Sequence, residues 1–235
     1  MAITIKSERE IELMAEAGKI LERVHNELEK ALHPGMSTKD IDTLGEKIIR
    51  SYGCIPSFLN YNGYPASICV SVNQEVVHGI PDKHRIIHEG DIVSLDAGVI
   101  YKGYHSDAAR THAVGEVSEE AKKLIQVTKE CFFEGIKYAK AGNHLFDISG
   151  AIGRYAEERG YGVVRDLCGH GIGTALHEAP EIPNYEVGRK GVRLRPGMTL
   201  AIEPMINIGT HEVDWLDDDW TVVTRDGSLS AHYEN

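Results

Sequence analysis

Slid along itself by the distance from Gly35 to Gly142, the sequence lays Gly35, Asp40, Ile41 and Gly53 on Gly142, Asp147, Ile148 and Gly160, and Gly90 on Gly197. The same shift sets Asp96 on Glu203, carboxylate on carboxylate, inside two runs rich in aliphatic residues. Helix signals repeat with it. Ser7 followed by Glu10 is a capping-box pattern, and Ile11, Met14, Gly18, Leu21, His25, Leu28 and Leu32 then recur at three- and four-residue steps up to Pro34-Gly35. A second helix is expected over 38–51 before Gly53, a third from Ser118 to near Gly142, and a fourth from His144 to Arg159 before Gly160. Strands are expected over 92–100, 199–208 and 221–224. Chance among common Gly and Asp residues is the plain alternative, because internal repeats usually have shorter periods. A duplication accounts for more: helix pair, strands, helix pair, strands, within one domain over 1–235 whose halves are roughly 1–112 and 113–235. Halves so related can pack about a pseudo-two-fold axis, with matching strands and their carboxylates facing one another across it.

At 235 residues and 42% hydrophobic, the chain is long enough to bury a full core. Its formal net charge of -11 argues against a general nucleic-acid binder, whose affinity rests on neutralising phosphates. The N-terminus lacks the basic start, apolar core and cleavage site of a secretory signal, and no apolar run is long enough to span a bilayer. A cytosolic location away from membranes is expected. Cys54, Cys69, Cys131 and Cys168 are scattered without a C-x-x-C pair, so neither a zinc ribbon nor a disulfide framework is indicated.

The stretch from Ser94 to Asp107 is expected to form two strands joined at Lys102-Gly103. A two-residue turn sets position 96 opposite position 109, so Asp107 lies on the same face as Asp96 and within diagonal reach. Two ionised carboxylates on one face of a largely apolar hairpin repel unless solvated, protonated or joined by a cation. A wet sheet face is the ordinary explanation for two aspartates standing alone. These are joined by Glu203, an acid in an apolar strand and the counterpart of Asp96, and by Glu234, placed on the strand expected to pair with that of Glu203. His170 lies among Gly169, Gly171 and Gly173, which let backbone come close, and His177 follows in His177-Glu178. Taken singly, each histidine is more often a hydrogen-bonded structural residue. The spacing of seven is unlike the H-E-x-x-H motif of the common zinc proteases.

With these residues in place, the chain resembles the type I methionine aminopeptidases over essentially its whole length. The matching stretches are Val77-His78-Gly79-Ile80-Pro81, Leu95-Asp96-Ala97-Gly98 through Tyr104-His105-Ser106-Asp107, Gly169 to Gly173, His177-Glu178, Ile202-Glu203-Pro204-Met205 and Ser230-Ala231-His232-Tyr233-Glu234. The resemblance implies an α+β, pita-bread fold, two pseudo-two-fold-related halves with a central antiparallel sheet covered by helix pairs. It implies two divalent metal ions, cobalt, manganese, iron or zinc, held by Asp96, Asp107, His170, Glu203 and Glu234. Asp107 and Glu234 would bridge the ions, Asp96 would chelate one, and His170 with Glu203 would bind the other. Glu203 would also shuttle a proton, His177 would bond the substrate carbonyl oxygen, and His78 would contact the scissile nitrogen. Tyr61, Tyr64, Cys69 and Trp220 would line the methionine pocket, together with His78 and His177 as substrate contacts.

The implied substrates are nascent polypeptide N-termini with a small second residue, and the implied enzyme is a monomer. Asn62 and Leu176 depart from the family, whose bacterial members carry His and an aromatic there, which implies a pocket of different shape. Glu234 stands one residue before Asn235, where family members continue the strand, and is expected to be loosely fixed, with the second metal weakly held. Arg189, Lys190, Arg193 and Arg195 form a basic turn, which is most simply a solvated surface and alternatively a weak contact with ribosomal RNA. The competing functions are a proline-specific peptidase of the same fold, or a non-catalytic relative that binds peptides. A mononuclear iron oxygenase would need two histidines and one carboxylate, whereas this set has one histidine and four carboxylates.

Overall fold

Ser7 caps the first helix, α1 (Glu8–Ala31), in a reciprocal bond with Glu10, and Ser37 caps α2 (Thr38–Ser51) in the same way with Asp40. The computed structural model to which these elements belong describes residues 2–235. Beyond the helix pair come β1 (Ile55–Pro56), β2 (Ile68–Val72), β3 (Glu75–Val77), β4 (Ile92–Tyr101) and β5 (Tyr104–Ala113). The strand β4 is central, with β5 on one edge and β2 and β1 on the other. Alternation sorts its side chains: Val93, Leu95, Ala97 and Val99 join Leu21, Leu28, Ile41 and Ile49 in the core beneath the helices. Fully burying each such aliphatic side chain contributes about 1.5–3 kcal/mol. Asp96 therefore points to the opposite face.

The second half repeats the order with α3 (Glu119–Ile136), α4 (Leu145–Glu157), β6 (Gly162–Val163), β7 (Gly169–Gly171), β8 (Glu178–Ile182), β9 (Leu200–Ala201) and β10 (Met205–Asn207). An excursion through β11 (Val213–Trp215) and β12 (Val222–Thr224) then leads to β13 (Ser230–His232). Leu124, Leu145, Ile148 and Ile152 of the helices meet Val163, Ile202, Ile206 and Ala231 in a second core cluster. The halves are tied along the sheet by Glu234, whose N–H donates to Ala109 O at 3.0 Å, and by β12, which pairs with β3 of the first half. The segment before α1 adds Lys6, whose N–H donates to Gly197 O and whose buried ammonium pairs with Glu178 at 2.5 Å. Positions aligned by the sequence shift share backbone states. Gly35 and Gly142 have φ of 93° and 96°, Gly90 and Gly197 have 94° and 86°, and isolated bridges join Ser37 to Ile86 and His144 to Arg193.

The structure corrects three expectations. The third helix stops at Ile136 rather than near Gly142, because residues 137–140 are exposed and have no apolar face to bury. The strand expected over 199–208 is divided into β9 and β10, since Pro204 has no N–H to give a ladder and Asn184 holds the carbonyl of Glu203 at 3.0 Å. Glu234 is not loosely fixed: Asn235 and Ile202 exchange backbone bonds at 3.0 and 3.3 Å, and Arg110 donates to the Glu234 carbonyl. All four cysteines are free. Among the described residues, no helix is long and apolar enough to cross a membrane.

Candidate active site

Lys102 and Gly103 adopt φ of 50° and 86° and close a two-residue hairpin, so Asp96 pairs with Ala109 and Gly98 with Asp107. Both aspartates thus project from one sheet face, as the register argument requires. Across the seam, β10 pairs Met205 with His232, and the Ile202–Asn235 bonds continue that register, which sets Glu234 opposite Glu203. This differs from the diagonal relation of Asp107 to Asp96. His170 sits in β7, pressed between β8 and β9. A Cβ on Gly171 would lie 2.2 Å from Ala179 O, so only glycine permits this approach.

These carboxylates and His170 line one cavity of about 260 Å³. Ligand-type atoms of Asp107, His170 and Glu234 all fall within 4.8 Å of one another. His170 Nε2 is 3.6 Å from Glu203 Oε1 and 3.9 Å from Asp107 Oδ2. Its Nδ1 is 2.8 Å from Gly171 O, an acceptor, so the proton sits on Nδ1 and the Nε2 lone pair faces the acids. Burial is the first cause of every shift here. It raises Asp96, Glu203 and Glu234, each helped by the charges of neighbouring acids, and lifts Asp107 to about 7. It lowers His170 to about 4, aided by the charge of His177. Asp96 Oδ1, Asp107 Oδ1 and Glu234 Oε1 are buried without a hydrogen-bond partner. Orphaned carboxylate oxygens facing a bare imidazole nitrogen fit divalent cations and little else.

Beside the acids the cavity becomes apolar. Phe58, Tyr64, Cys69 and Leu176 form a cluster with Tyr61 and Trp220 packed on it, and Tyr64 meets Trp220 edge-on at 5.1 Å. The Tyr64 hydroxyl donates to Gly79 O at 2.9 Å, which leaves its ring to the pocket. Asn62 is also at the wall. His78, at φ 59°, is held in the left-handed region with its ring 6.2 Å from that of Trp220, and burial lowers it to about 4. His177 is lowered by burial and meets His170 edge-on, with the ring centroids 4.1 Å apart.

Every residue singled out in the sequence for metal or substrate contact lines this cavity. Three further residues were not foreseen. His232 places Nε2 3.8 Å from Glu203 Oε2, and it lies within the Ser230–Glu234 motif, the one available signal. Buried Asn184, which holds Glu203, and Phe58 had no such signal.

A buried group of acids around a neutral imidazole, opening onto an apolar pocket, defines a metal-dependent hydrolase. The family is equally specific: Metallopeptidase family M24 is matched over residues 12–235, and the chain belongs to it. It is 59% identical over 233 residues to a methionine aminopeptidase of Clostridium acetobutylicum, covering 99% of this chain and 93% of that one. The crystal structure of a methionine aminopeptidase from Thermotoga maritima superposes with a TM-score of 0.97 at 47% identity, covering 99% of this chain and 94% of that one. An Xaa-Pro dipeptidase of Bacillus anthracis gives a TM-score of 0.76 at 28% identity, with 98% of this chain matched to 57% of that one. The fold is the pita-bread fold of these metallopeptidases.

Proposed function

We propose that this chain removes the N-terminal methionine from nascent proteins and peptides whose second residue is small. The observation that carries the proposal is the adjacency of the unpaired acids to a pocket of aromatic, aliphatic and sulfur-bearing side chains, suited to a thioether. Two divalent ions, cobalt, manganese, iron or zinc, would be held by Asp96, Asp107, His170, Glu203 and Glu234. When bound, such ions lower the pKa of water and polarise a carbonyl. Glu203 then takes a proton from the attacking water and returns it to the departing amine. The Tyr61 hydroxyl, 2.7 Å from His177 Nδ1, leaves the Nε2–H of a neutral ring to bond the carbonyl oxygen as charge builds there. His78, likewise neutral near pH 7, contacts the scissile nitrogen.

Tyr61, Tyr64, Cys69 and Trp220 would grip the methionine side chain, and Asn62 and Leu176 would set the pocket's shape. The enzyme would be a cytoplasmic monomer, one domain formed by duplication, which the shared backbone states of aligned glycines support. Arg189, Lys190, Arg193 and Arg195 are exposed and form no ion pair among the described residues, as in a solvated turn, and a weak contact with ribosomal RNA is the alternative reading. Unchanged ribosome co-sedimentation after neutralising all four would sink that part.

Hydrolysis of Met-Ala-Ser should be abolished by chelation and restored by one or more divalent metals, with Leu- and Pro-initiated peptides left intact. Cleavage without metal would overturn the proposal. Preference for an Xaa-Pro peptide would move the chain to the dipeptidase branch of the fold.

A further inference from the structure

His177 stands in the bend between β7 and β8, at the last residue before β8 begins. Little backbone pairing holds that bend. Gly173 O accepts from His105 N–H at 2.8 Å, and Gly173 N–H donates to Ala175 O at 3.0 Å. The next bond goes to a side chain, with Ala175 N–H donating to Glu178 Oε1 at 3.3 Å. The Glu178 carboxylate thus clasps the turn, and the two residues enclosed by the clasp, Leu176 and His177, both line the cavity.

What fixes the clasp comes from the far end of the chain. Thr4 Oγ1 donates to Glu178 Oε2 at 2.9 Å, and Lys6 Nζ donates to the same oxygen at 2.5 Å. The side chains of the ion pair are 4% and 12% exposed. The Lys6 stem lies against the turn itself, since a Cβ on Gly173 would stand 2.6 Å from Lys6 Cε. The segment carrying Lys6 is seated in turn by its N–H on Gly197 O at 2.7 Å, and a Cβ on Gly197 would meet Lys6 O at 2.7 Å. Two glycines therefore make room for one lysine.

A buried ion pair is a poor device for stability alone, because apolar side chains of similar volume hold a fold as well or better. It is a good device for position, since a charge-assisted bond is short and directional. Lys6 does not act on His177 through its charge: burial is the cause of that imidazole's lowered pKa. Nor is Lys6 among the residues that line the cavity. Its path to the site runs through Glu178 and the turn. We propose that Lys6 is a positioning residue for His177, its ion pair with Glu178 holding the turn that aims the imidazole at the substrate carbonyl. Tyr61 sets the rotation of the ring, and Lys6 sets where the ring begins.

The inference rests on the peptidase reading, in which His177 bonds the carbonyl oxygen, and it is tested on the metal-loaded full chain with Met-Ala-Ser. Lys6→Met should lower kcat about tenfold and change KM by less than about twofold, because the bond affected strengthens only in the transition state. In a His177→Ala background the same change should cost nothing further. Lys6→Met/Glu178→Leu leaves no buried charge unpaired, should show the same loss of kcat, and serves where the single variant does not fold. In the metal-free chain, Lys6→Met should move the His177 imidazole resonances and leave those of His25 in place. The proposal fails if a folded variant keeps its kcat, if the loss is as large in the His177→Ala background, or if the His25 resonances move as far as those of His177. Absence of cleavage by the unaltered chain overturns the peptidase reading instead, and the resonances still test the positional claim.

Discussion

His177 depends on a hydrogen bond to a residue far away in the sequence. The Tyr61 hydroxyl at 2.7 Å fixes which ring nitrogen faces the cavity, so Tyr61 is a positioning residue for His177 as well as a pocket wall. His177→Ala should lower kcat about a hundredfold, in line with loss of one donor to a developing oxyanion, while leaving metal content unchanged. Tyr61→Phe should lower kcat by less, about three- to tenfold, because the ring remains but its orientation loosens. The double variant should be no worse than His177→Ala alone, since the two act as one unit. Equal, additive losses measured by steady-state kinetics would show that Tyr61 acts only through the pocket.

Two elements each hold one residue whose surroundings tolerate little change. In β7 the missing side chain of Gly171 lets the Ala179 carbonyl come to within 2.2 Å of where a Cβ would sit. Gly171→Ala should therefore destabilise the fold by about 2 kcal/mol or more and displace His170, visible as a lower urea midpoint together with weaker metal binding. In α1, burial, with the charges of Arg110 and His112 assisting, holds His25 at about 3 against the opposing bond to Ala108. The unfolded chain titrates near the ordinary value, about 6.5. Between those two pH values the unfolded state binds a proton that the fold refuses, so stability is lost as pH falls from about 6.5 toward 3. The slope is at most about 1.4 kcal/mol per pH unit. His25→Gln should remove this part of the acid sensitivity, checked by urea unfolding at pH 7 and pH 5. An unchanged difference between the two pH values would contradict it.

At the scale of the molecule, what was legible in the sequence had local causes. Ser7 and Ser37 announce their helices through their own third neighbours, and Lys102-Gly103 sets the Asp96–Ala109 register through a two-residue turn. What escaped is made by chain segments that meet only after folding. Nothing near Asn184 marks it as the holder of Glu203, and nothing before Asn235 announces that Arg110 and Ile202 secure Glu234. The break between β9 and β10 was half-visible, in Pro204, but its consequence for the position of Glu234 depends on the pairing of β13.

A metal centre and a protonated cluster of acids at the seam differ in what they take up. The direct measurement is calorimetric titration of the chelated protein with manganese, alongside Asp107→Asn and Glu234→Gln. Two ions should bind per chain with release of protons, as expected where Asp107 otherwise titrates at about 7, and each substitution should remove at least one ion. Absence of uptake, or uptake unaffected by either substitution, would contradict the account.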